Sequence, residues 1–256
     1  MRKYIATACM VLFAMSLNAQ LLHTTVAQGE VEGVEQNGLA HYKGIPFATP
    51  PVGDLRWKAP LPAQKWQGVY KADTFKDKPY QQSQGPARPG QPGVSEDCLY
   101  LNILTPAKKV GEGLPVLVWI HGGGFNTGAS WENNGEKFAQ AGIVYAAITY
   151  RTNVFGFLSL PELSAESEKE NGRAISGNYG LMDQIMALQW IHDNIAAFGG
   201  DPNGGYLPLW PVYAEGTECV MNFRDGAFLT GIHNLPQLQL WEEYMKWRRE
   251  HKTPLN

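Results

Sequence analysis

Two apolar runs separated by a more polar stretch restrict the possible folds of this chain more than any other feature. Residues 115–120 (PVLVWI) and 143–149 (IVYAAIT) are typical of strands that are covered on both faces of a sheet. The segment 136–141 between them predicts a short helix. A strand, a helix and a second strand in this order predict a parallel α/β unit.

A longer helix is predicted after the second strand. Asn178 is suited to its N-cap, and Gly199, Gly200 and Pro202 end the pattern. Because apolar residues recur at helical spacing between these signals, we expect them to form one stripe that packs on the sheet. The stripe consists of Leu181, Ile185, Leu188, Ile191 and Ile195. A further buried strand should follow the helix, but the chain continues with Tyr-Leu-Pro-Leu-Trp-Pro.

Local signals predict four further elements. Asn37-Gly38, within the alternating segment 29–42, predicts a β-hairpin. Residues 99–104 predict a short strand. Residues 81–94, which are rich in Gln, Gly and Pro, predict an exposed loop. Residues 238–250 predict a C-terminal helix, because its glutamates precede its basic residues.

Composition narrows the class of protein. The chain has 256 residues, a formal net charge of −3 and 44% apolar residues. The length fits one α/β domain or two small ones, and the charge gives no indication of a nucleic-acid partner. Because no Cys or His spacing corresponds to a metal site, we expect neither a metal nor a cofactor.

The N-terminus predicts export. Arg2 and Lys3 precede an apolar stretch at residues 5–17, which is too short to span a bilayer. We predict a signal peptide at residues 1–19, cleaved after Ala19, and a periplasmic or secreted product. A membrane anchor or a buried helix is the alternative. No later stretch has the length and apolarity of a membrane span, so none is expected after cleavage.

The motif with the clearest chemical meaning is His121-Gly122-Gly123-Gly124-Phe125, which directly follows the first apolar run. Glycine allows backbone N–H groups to point into a cavity at angles that a Cβ atom would obstruct. Such groups stabilise the negative oxygen of a tetrahedral intermediate, and an HGGG-type turn is one of the α/β-hydrolase motifs. A glycine-rich turn with no catalytic role is the alternative.

Further strings accompany this motif in a fixed order. They are 43–48 (KGIPFA), 50–53 (PPVG), 55–57 (LRW), 95–102 (SEDCLYLN), 115–125 (PVLVWIHGGGF), 150–151 (YR), 156–158 (GFL), 177–184 (GNYGLMDQ) and 198–202 (FGGDP). Together they resemble the type B carboxylesterases, the family that includes cholinesterases and bacterial para-nitrobenzyl esterases.

The resemblance implies an α/β-hydrolase fold and hydrolysis of small-molecule carboxylic esters by a Ser-His-acid triad. It also implies that Gly123 and Gly124 are the backbone donors of an oxyanion hole. Arg56 and Glu96 correspond to a buried ion pair whose role is structural. Packing in the pocket or core is expected for two aromatic residues, Trp119 and Phe125.

The chain departs from the family at the nucleophile. The family's serine lies in a G-x-S-x-G turn soon after the FGGDP string. His192 and His233 do not match the family's catalytic histidine, and the acid and base segments are absent, so no catalytic residue is assigned. None of the chain's serines has glycine at both required positions: Ser16, Ser83, Ser95, Ser130, Ser159, Ser164, Ser167 and Ser176.

The sequence after Asn203 resembles another part of the same family. Residues 200–204 (GDPNG) followed by 207–213 (LPLWPVY) resemble the family's C-terminal string, so GDPN can be assigned to either flank. We therefore expect residues 20–203 to be the N-terminal part of the domain and residues 204–256 its C-terminal segment. The α/β sheet should lack the central nucleophile strand. Recombination, an assembly error or deliberate construction would each produce such a join.

Two expectations follow from these departures. The protein is a carboxylesterase by ancestry that is inactive as it stands, and the alternative is a non-catalytic, cholinesterase-like binding or adhesion module. Cys98 lacks the upstream partner that is usual in the family, so it is expected to be a free, buried thiol unless it meets Cys219.

Overall fold

The computed structural model describes residues 20–81 and 92–203, together with the backbone of three later strands. The strands are β1 (His23–Val26), β2 (Gly29–Glu32), β3 (Val34–Gln36), β4 (Leu39–Pro46), β5 (Val69–Lys71), β6 (Lys78–Pro79), β7 (Val94–Ser95), β8 (Tyr100–Thr105), β9 (Val116–Ile120), β10 (Val144–Ile148), β11 (Tyr206–Trp210), β12 (Thr217–Met221) and β13 (Phe228–His233). The helices are α1 (Glu136–Gln140), α2 (Asn153–Phe157), α3 (Pro161–Asn171) and α4 (Tyr179–Asn194), and 3-10 turns lie at Gly53–Leu55 and Ile195–Phe198.

The two apolar runs form the parallel pair that the sequence predicts. β9 and β10 pair in parallel from Val116 and Val144 to Ile120 and Ile148, and all residues of both strands are buried. α1 lies between them in the chain. The prediction of a parallel α/β unit is confirmed.

Antiparallel strands extend the sheet on the β10 side. β8 pairs with β10, β4 with β8, and β3 with β4, so the order runs β9-β10-β8-β4-β3. Asn37 and Gly38 connect β3 to β4 with φ values of 56° and 74°. Two consecutive positive φ angles are what the tightest hairpin turn requires, which confirms the predicted hairpin.

The sheet position on the other side of β9 is occupied by β11. This strand pairs in parallel with β9, and β12 and β13 continue the sheet in antiparallel order. The segment before β11 first pairs with Leu114, two residues before β9. Leu114 N–H donates to Gly199 O at 2.9 Å, and Leu114 O accepts from Asp201 N–H at 2.8 Å. The uncovered N–H and C=O groups of an edge strand pair readily with a neighbouring extended segment. The strand on this side of β9 therefore carries no nucleophile motif, and the sequence predicts that the central nucleophile strand is missing.

Helix α4 packs with most of the predicted stripe, but not with Ile185. Ile191 and Ile195 are buried and Leu188 packs on the core, whereas Ile185 is 67% exposed. The helix also buries polar side chains that have internal partners: Asn194 Oδ1 accepts from Ala27 N–H at 2.8 Å, and Asp183 binds Arg151. Since a buried polar group needs a partner, these contacts fix the rotation of the helix and turn Ile185 outward.

Side chains of the central strands pack in two hydrophobic cores, one on each face of the sheet. Val116, Val118 and Ile120 point to the face that α4 covers, where they join a large cluster. Leu117 and Trp119 point to the opposite face, where α1 packs. This alternation is the two-residue period of a β-strand.

Several predictions fall outside the described residues. These are the signal peptide at residues 1–19, most of the loop at residues 81–94, and the helix at residues 238–250. Within the described ranges, the structure contains no helix with the length and apolar character needed to cross a bilayer.

Candidate functional site

The glycine-rich loop leaves the carboxyl end of β9 in a tight, left-handed turn. Gly123, Gly124 and Phe125 have φ values of 107°, 58° and 62°. A Cβ atom on Gly123 would lie 2.3 Å from Thr127 O, so only glycine fits there. The amides of Asn126 and Thr127 donate to Gly123 O at 3.0 and 3.3 Å, which closes the turn.

The amides of Gly123 and Gly124 remain available in this turn. Among the described residues, no acceptor binds either N–H, and both glycines are exposed. Their carbonyls are used inside the loop, because Gly124 O accepts from Asn126 Nδ2 at 3.0 Å. Successive N–H groups that have no internal acceptor in a turn can bind an anion, so the two free amides suit a negatively charged oxygen.

His121 anchors the base of the loop. Its buried ring stacks on Tyr150 with centroids 4.1 Å apart, and Tyr150 Oη donates to His121 O at 3.0 Å. His121 Nδ1 lies 3.0 Å from Gly122 O, so this nitrogen carries the proton of the neutral ring and donates it. Burial lowers the pKa of His121 to about 4, and the imidazole is therefore uncharged at neutral pH.

Gly128 provides the space that the His121 ring occupies. A Cβ atom there would lie 2.2 Å from His121 Nδ1, at a φ of 120°. We expect Gly128→Ala to lower the free energy of unfolding by about 2–5 kcal/mol through backbone strain and overpacking. Urea denaturation measures this loss. Gly142→Ala is the matched control, because its φ is 88° but no atom lies within 4 Å; equal losses in both variants would contradict the steric explanation.

The Arg56–Glu96 ion pair is present but is not buried. Arg56 Nε and Nη2 donate to Glu96 Oε2 and Oε1 at 2.5 and 2.6 Å. The side chains are 39% and 21% exposed, so the expected burial is wrong. The reason is that Arg56 ends a surface 3-10 turn, where its guanidinium lies near the rings of Trp57 and Phe155. The pair ties this turn to the segment after β7.

The buried ion pair of the described residues is Arg151–Asp183. Arg151 Nε and Nη2 donate to Asp183 Oδ2 and Oδ1 at 2.8 and 2.7 Å, and the Arg151 backbone N–H donates at 3.0 Å. The side chains are 3% and 0% exposed. Burial raises the pKa of Asp183, and the hydrogen bonds from Arg151 act in the opposite direction. Both residues lie in strings of the family resemblance, but no spacing signal pairs residues so far apart.

The other sequence candidates have structural surroundings. Trp119 is 7% exposed within the second core, whereas Phe125 is 37% exposed and packs on Phe157 with centroids 4.8 Å apart. Cys98 is a buried free thiol, and burial raises its pKa well above the usual value. His192 lies on the exposed side of α4, and only the backbone of His233 is described. The described residues contain no cluster of three His, Cys, Asp or Glu suited to a metal ion.

A mixed sheet with a parallel centre, and a glycine-rich turn after its central strand, are typical of an α/β-hydrolase. The sequence profile of the carboxylesterase family matches residues 20–204, which is more than half of the chain. The chain therefore belongs to the carboxylesterase family. The match ends one residue beyond Asn203, where the sequence predicts a join.

Individual relatives match a similar share of this chain. Fumonisin B1 esterase of Sphingopyxis macrogoltabida is 46% identical over 178 residues, which are 68% of this chain and 32% of that esterase. Para-nitrobenzyl esterase of Bacillus subtilis is 41% identical over 184 residues, or 70% and 36% of the two chains. A solved carboxylesterase of Geobacillus stearothermophilus has a TM-score of 0.62 at 39% identity, covering 71% of this chain and 36% of its own. The chain thus spans about a third of the relatives that it matches.

Proposed function

We propose that residues 20–203 are the N-terminal part of a carboxylic-ester hydrolase domain, and that Gly123 and Gly124 are its oxyanion hole. One observation carries the proposal: two adjacent, exposed glycines with positive φ follow the central strand, and their amides have no acceptor among the described residues. The substrate class is a small-molecule carboxylic ester, in line with the names of the relatives.

The chemistry follows from where charge develops in ester hydrolysis. Attack on the carbonyl carbon places a negative charge on the carbonyl oxygen, and N–H donors about 2.7–3.1 Å away stabilise it. Gly123 and Gly124 supply these donors. His121, held neutral by burial and stacked on Tyr150, positions the loop and is not the general base. The nucleophile and its base have to come from sequence that this chain does not contain.

We further propose that the 256-residue chain is inactive. No serine or cysteine stands in a G-x-S-x-G or equivalent turn. In one well-studied hydrolase, an oxyanion hole without its triad retains only about 10³- to 10⁴-fold catalysis over water. In this family such a remnant would still need the acyl and alcohol pockets, which are built largely from other segments.

Two proteins test the proposal with a serine-directed phosphonate probe and p-nitrophenyl acetate. The first is the chain itself, which we expect to remain unlabelled and without turnover. In the second, residues 204–256 are replaced by the part of the Bacillus subtilis para-nitrobenzyl esterase that follows the aligned region. We expect this chimera to be labelled at one serine and to hydrolyse the ester, because the amides of Gly123 and Gly124 then face a nucleophile.

The native Bacillus subtilis esterase is the positive control for both reagents. Labelling and turnover by the original chain would overturn the proposed inactivity. A chimera that is folded by circular dichroism but is neither labelled nor active would contradict the hydrolase role of the N-terminal part.

Two further proposals concern the join in the sequence and the export of the protein. We propose that residues 204–256 are the C-terminal segment of the same domain, joined at the shared GDPN string; the end of the family match at residue 204 supports a boundary there. Export through a signal peptide at residues 1–19 rests on Arg2, Lys3 and the apolar stretch that follows.

A further inference from the structure

The glycine-rich loop is attached at its end to a segment that is distant in the chain. Asn153 N–H donates to Phe125 O at 2.6 Å. Asn153 is the first residue of α2, which follows β10. Because β9 and β10 run in parallel, the loop and α2 leave the same edge of the sheet. The bond therefore joins the loop that contains Gly123 and Gly124 to the continuation of the neighbouring strand.

Both partners of this bond have a backbone conformation that side chains disfavour. Among the described residues, four that are not glycine have a positive φ, and Phe125 and Asn153, at 62° and 48°, are two of them. Such a conformation costs about 1–3 kcal/mol and persists only where the surrounding structure holds it. Asparagine tolerates the left-handed region better than most residues do. The contact between Phe125 and Asn153 is thus maintained against a local cost.

The side chain of Asn153 holds this conformation through two further segments. Its Nδ2 donates to Tyr80 O, and its Oδ1 accepts from Phe155 N–H at 3.3 Å. Tyr80 directly follows β6, and Phe155 lies in α2. Asn153 therefore connects the end of the loop to two segments that do not belong to it.

Two other points of the loop are fixed by other residues. His121 O accepts from Tyr150 Oη at 3.0 Å. At the far end, the Gln81 amide donates to Gly128 O and accepts from Gly128 N–H, both at 2.9 Å. Phe125, held by Asn153, lies between these points and is adjacent to Gly124. The bond from Asn153 is therefore the attachment next to the second of the two free amides.

We propose that Asn153 is a positioning residue, whose left-handed backbone holds Phe125 O and thereby sets the direction of the Gly123 and Gly124 amides. A displaced Phe125 carbonyl changes the torsion angles next to it, and glycine absorbs such changes readily. This role rests on the proposed oxyanion function of the two glycines. It adds a residue that touches neither the substrate nor the reacting atoms.

Amide NMR of the 256-residue chain tests the proposal. Glycine labelled with ¹³C at the carbonyl and with ¹⁵N selects amides that follow another glycine, which are those of Gly123, Gly124, Gly200 and Gly205. Asn153→Val should shift the Gly123 and Gly124 resonances, because a β-branched residue fits left-handed backbone poorly. Asn153→Gly should leave both near their original positions, because glycine adopts this conformation freely and keeps the N–H that Phe125 O accepts.

Two controls separate positioning from a general loss of structure. Gly200 pairs with Leu114 before the amino end of β9, so its resonance reports on the fold of each variant. Asn37→Val introduces the same side chain at a φ of 56° in the β3–β4 hairpin, and it should leave Gly123 and Gly124 unchanged. If Asn153→Val also shifts Gly200, Asn153→Ala, which lacks the β-branch, provides the measurement.

Kinetics of the chimera with the Bacillus subtilis esterase test the consequence for catalysis. Asn153→Val should lower kcat for p-nitrophenyl acetate about 10-fold to 100-fold with little change in KM, since misplaced donors weaken the stabilisation of the transition state. Asn153→Gly should retain most of the activity. An inactive but folded chimera contradicts the hydrolase function, whereas the NMR experiment decides the positioning role in either case.

Three results would overturn the positioning role. The first is that Gly123 and Gly124 keep their resonances in a folded Asn153→Val or Asn153→Ala variant. The second is that Asn153→Gly shifts them as much as Asn153→Val does, which would assign the effect to the lost side chain. The third is an active chimera in which Asn153→Val leaves kcat unchanged.

Discussion

Replacing Asp183 by alanine is expected to lower the free energy of unfolding by about 3–5 kcal/mol, the largest effect of a single substitution that the structure indicates. The substitution leaves the Arg151 guanidinium, which is 3% exposed, without its counter-charge in the interior. It also removes the acceptor of the Arg151 backbone N–H. Urea denaturation followed by circular dichroism measures the loss.

Removing both charges together should lower the free energy of unfolding far less. Arg151→Met with Asp183→Leu replaces the pair by apolar side chains of similar size, which is often neutral or stabilising for buried ion pairs. Glu96→Gln is the matched control, since it breaks a bidentate pair that is partly exposed and screened by solvent, and it should cause a much smaller decrease. Equal losses for Asp183→Ala and Glu96→Gln would contradict the role of burial.

The second large effect is a loss of stability in mild acid. Burial lowers the pKa of His121 to about 4 in the folded chain, against 6.5 when unfolded. Between these values the unfolded chain binds a proton that the folded chain does not, so the free energy of unfolding decreases as the pH falls. This residue alone should account for about 2 kcal/mol between pH 7.5 and pH 5.

His121→Phe isolates this contribution. Phenylalanine keeps a ring to stack on Tyr150 but cannot bind the proton, so the variant should show a flatter pH dependence, whatever its stability at pH 7.5. Part of the dependence should persist, because burial lowers the pKa of His41 too. Denaturation curves across this pH range that have the same slope in both proteins would rule out His121 as the source.

The sequence predicts the centre of the fold well because its signals there are local. The apolar runs of β9 and β10 and the Asn37-Gly38 turn each depend on a few adjacent residues, and all were found as predicted. Helix α4 shows the limit. Its apolar spacing predicts a buried Ile185, but the partners of Asp183 and Asn194 decide the rotation of the helix, and these partners lie far away in the chain.

The candidate site, too, could be predicted only in part from the sequence. The strings around Gly123 and Gly124 point to an oxyanion turn, and the order of glycines and serines rules out a G-x-S-x-G nucleophile. The resemblance also names Arg56 and Glu96 as a pair, but it places them in the interior. Which of two arginine–carboxylate pairs is buried depends on how much protein surrounds each of them, and sequence spacing contains no measure of this.

Family membership and the absence of a nucleophile motif were determined by the sequence alone, because both depend only on the order of residues along the chain. The tertiary structure decided the rest. It leaves the amides of Gly123 and Gly124 without an acceptor among the described residues, fills the position beside β9 with β11, and buries Arg151 against Asp183. Each of these features requires contacts between segments distant in sequence, and burial and pairing follow from such contacts.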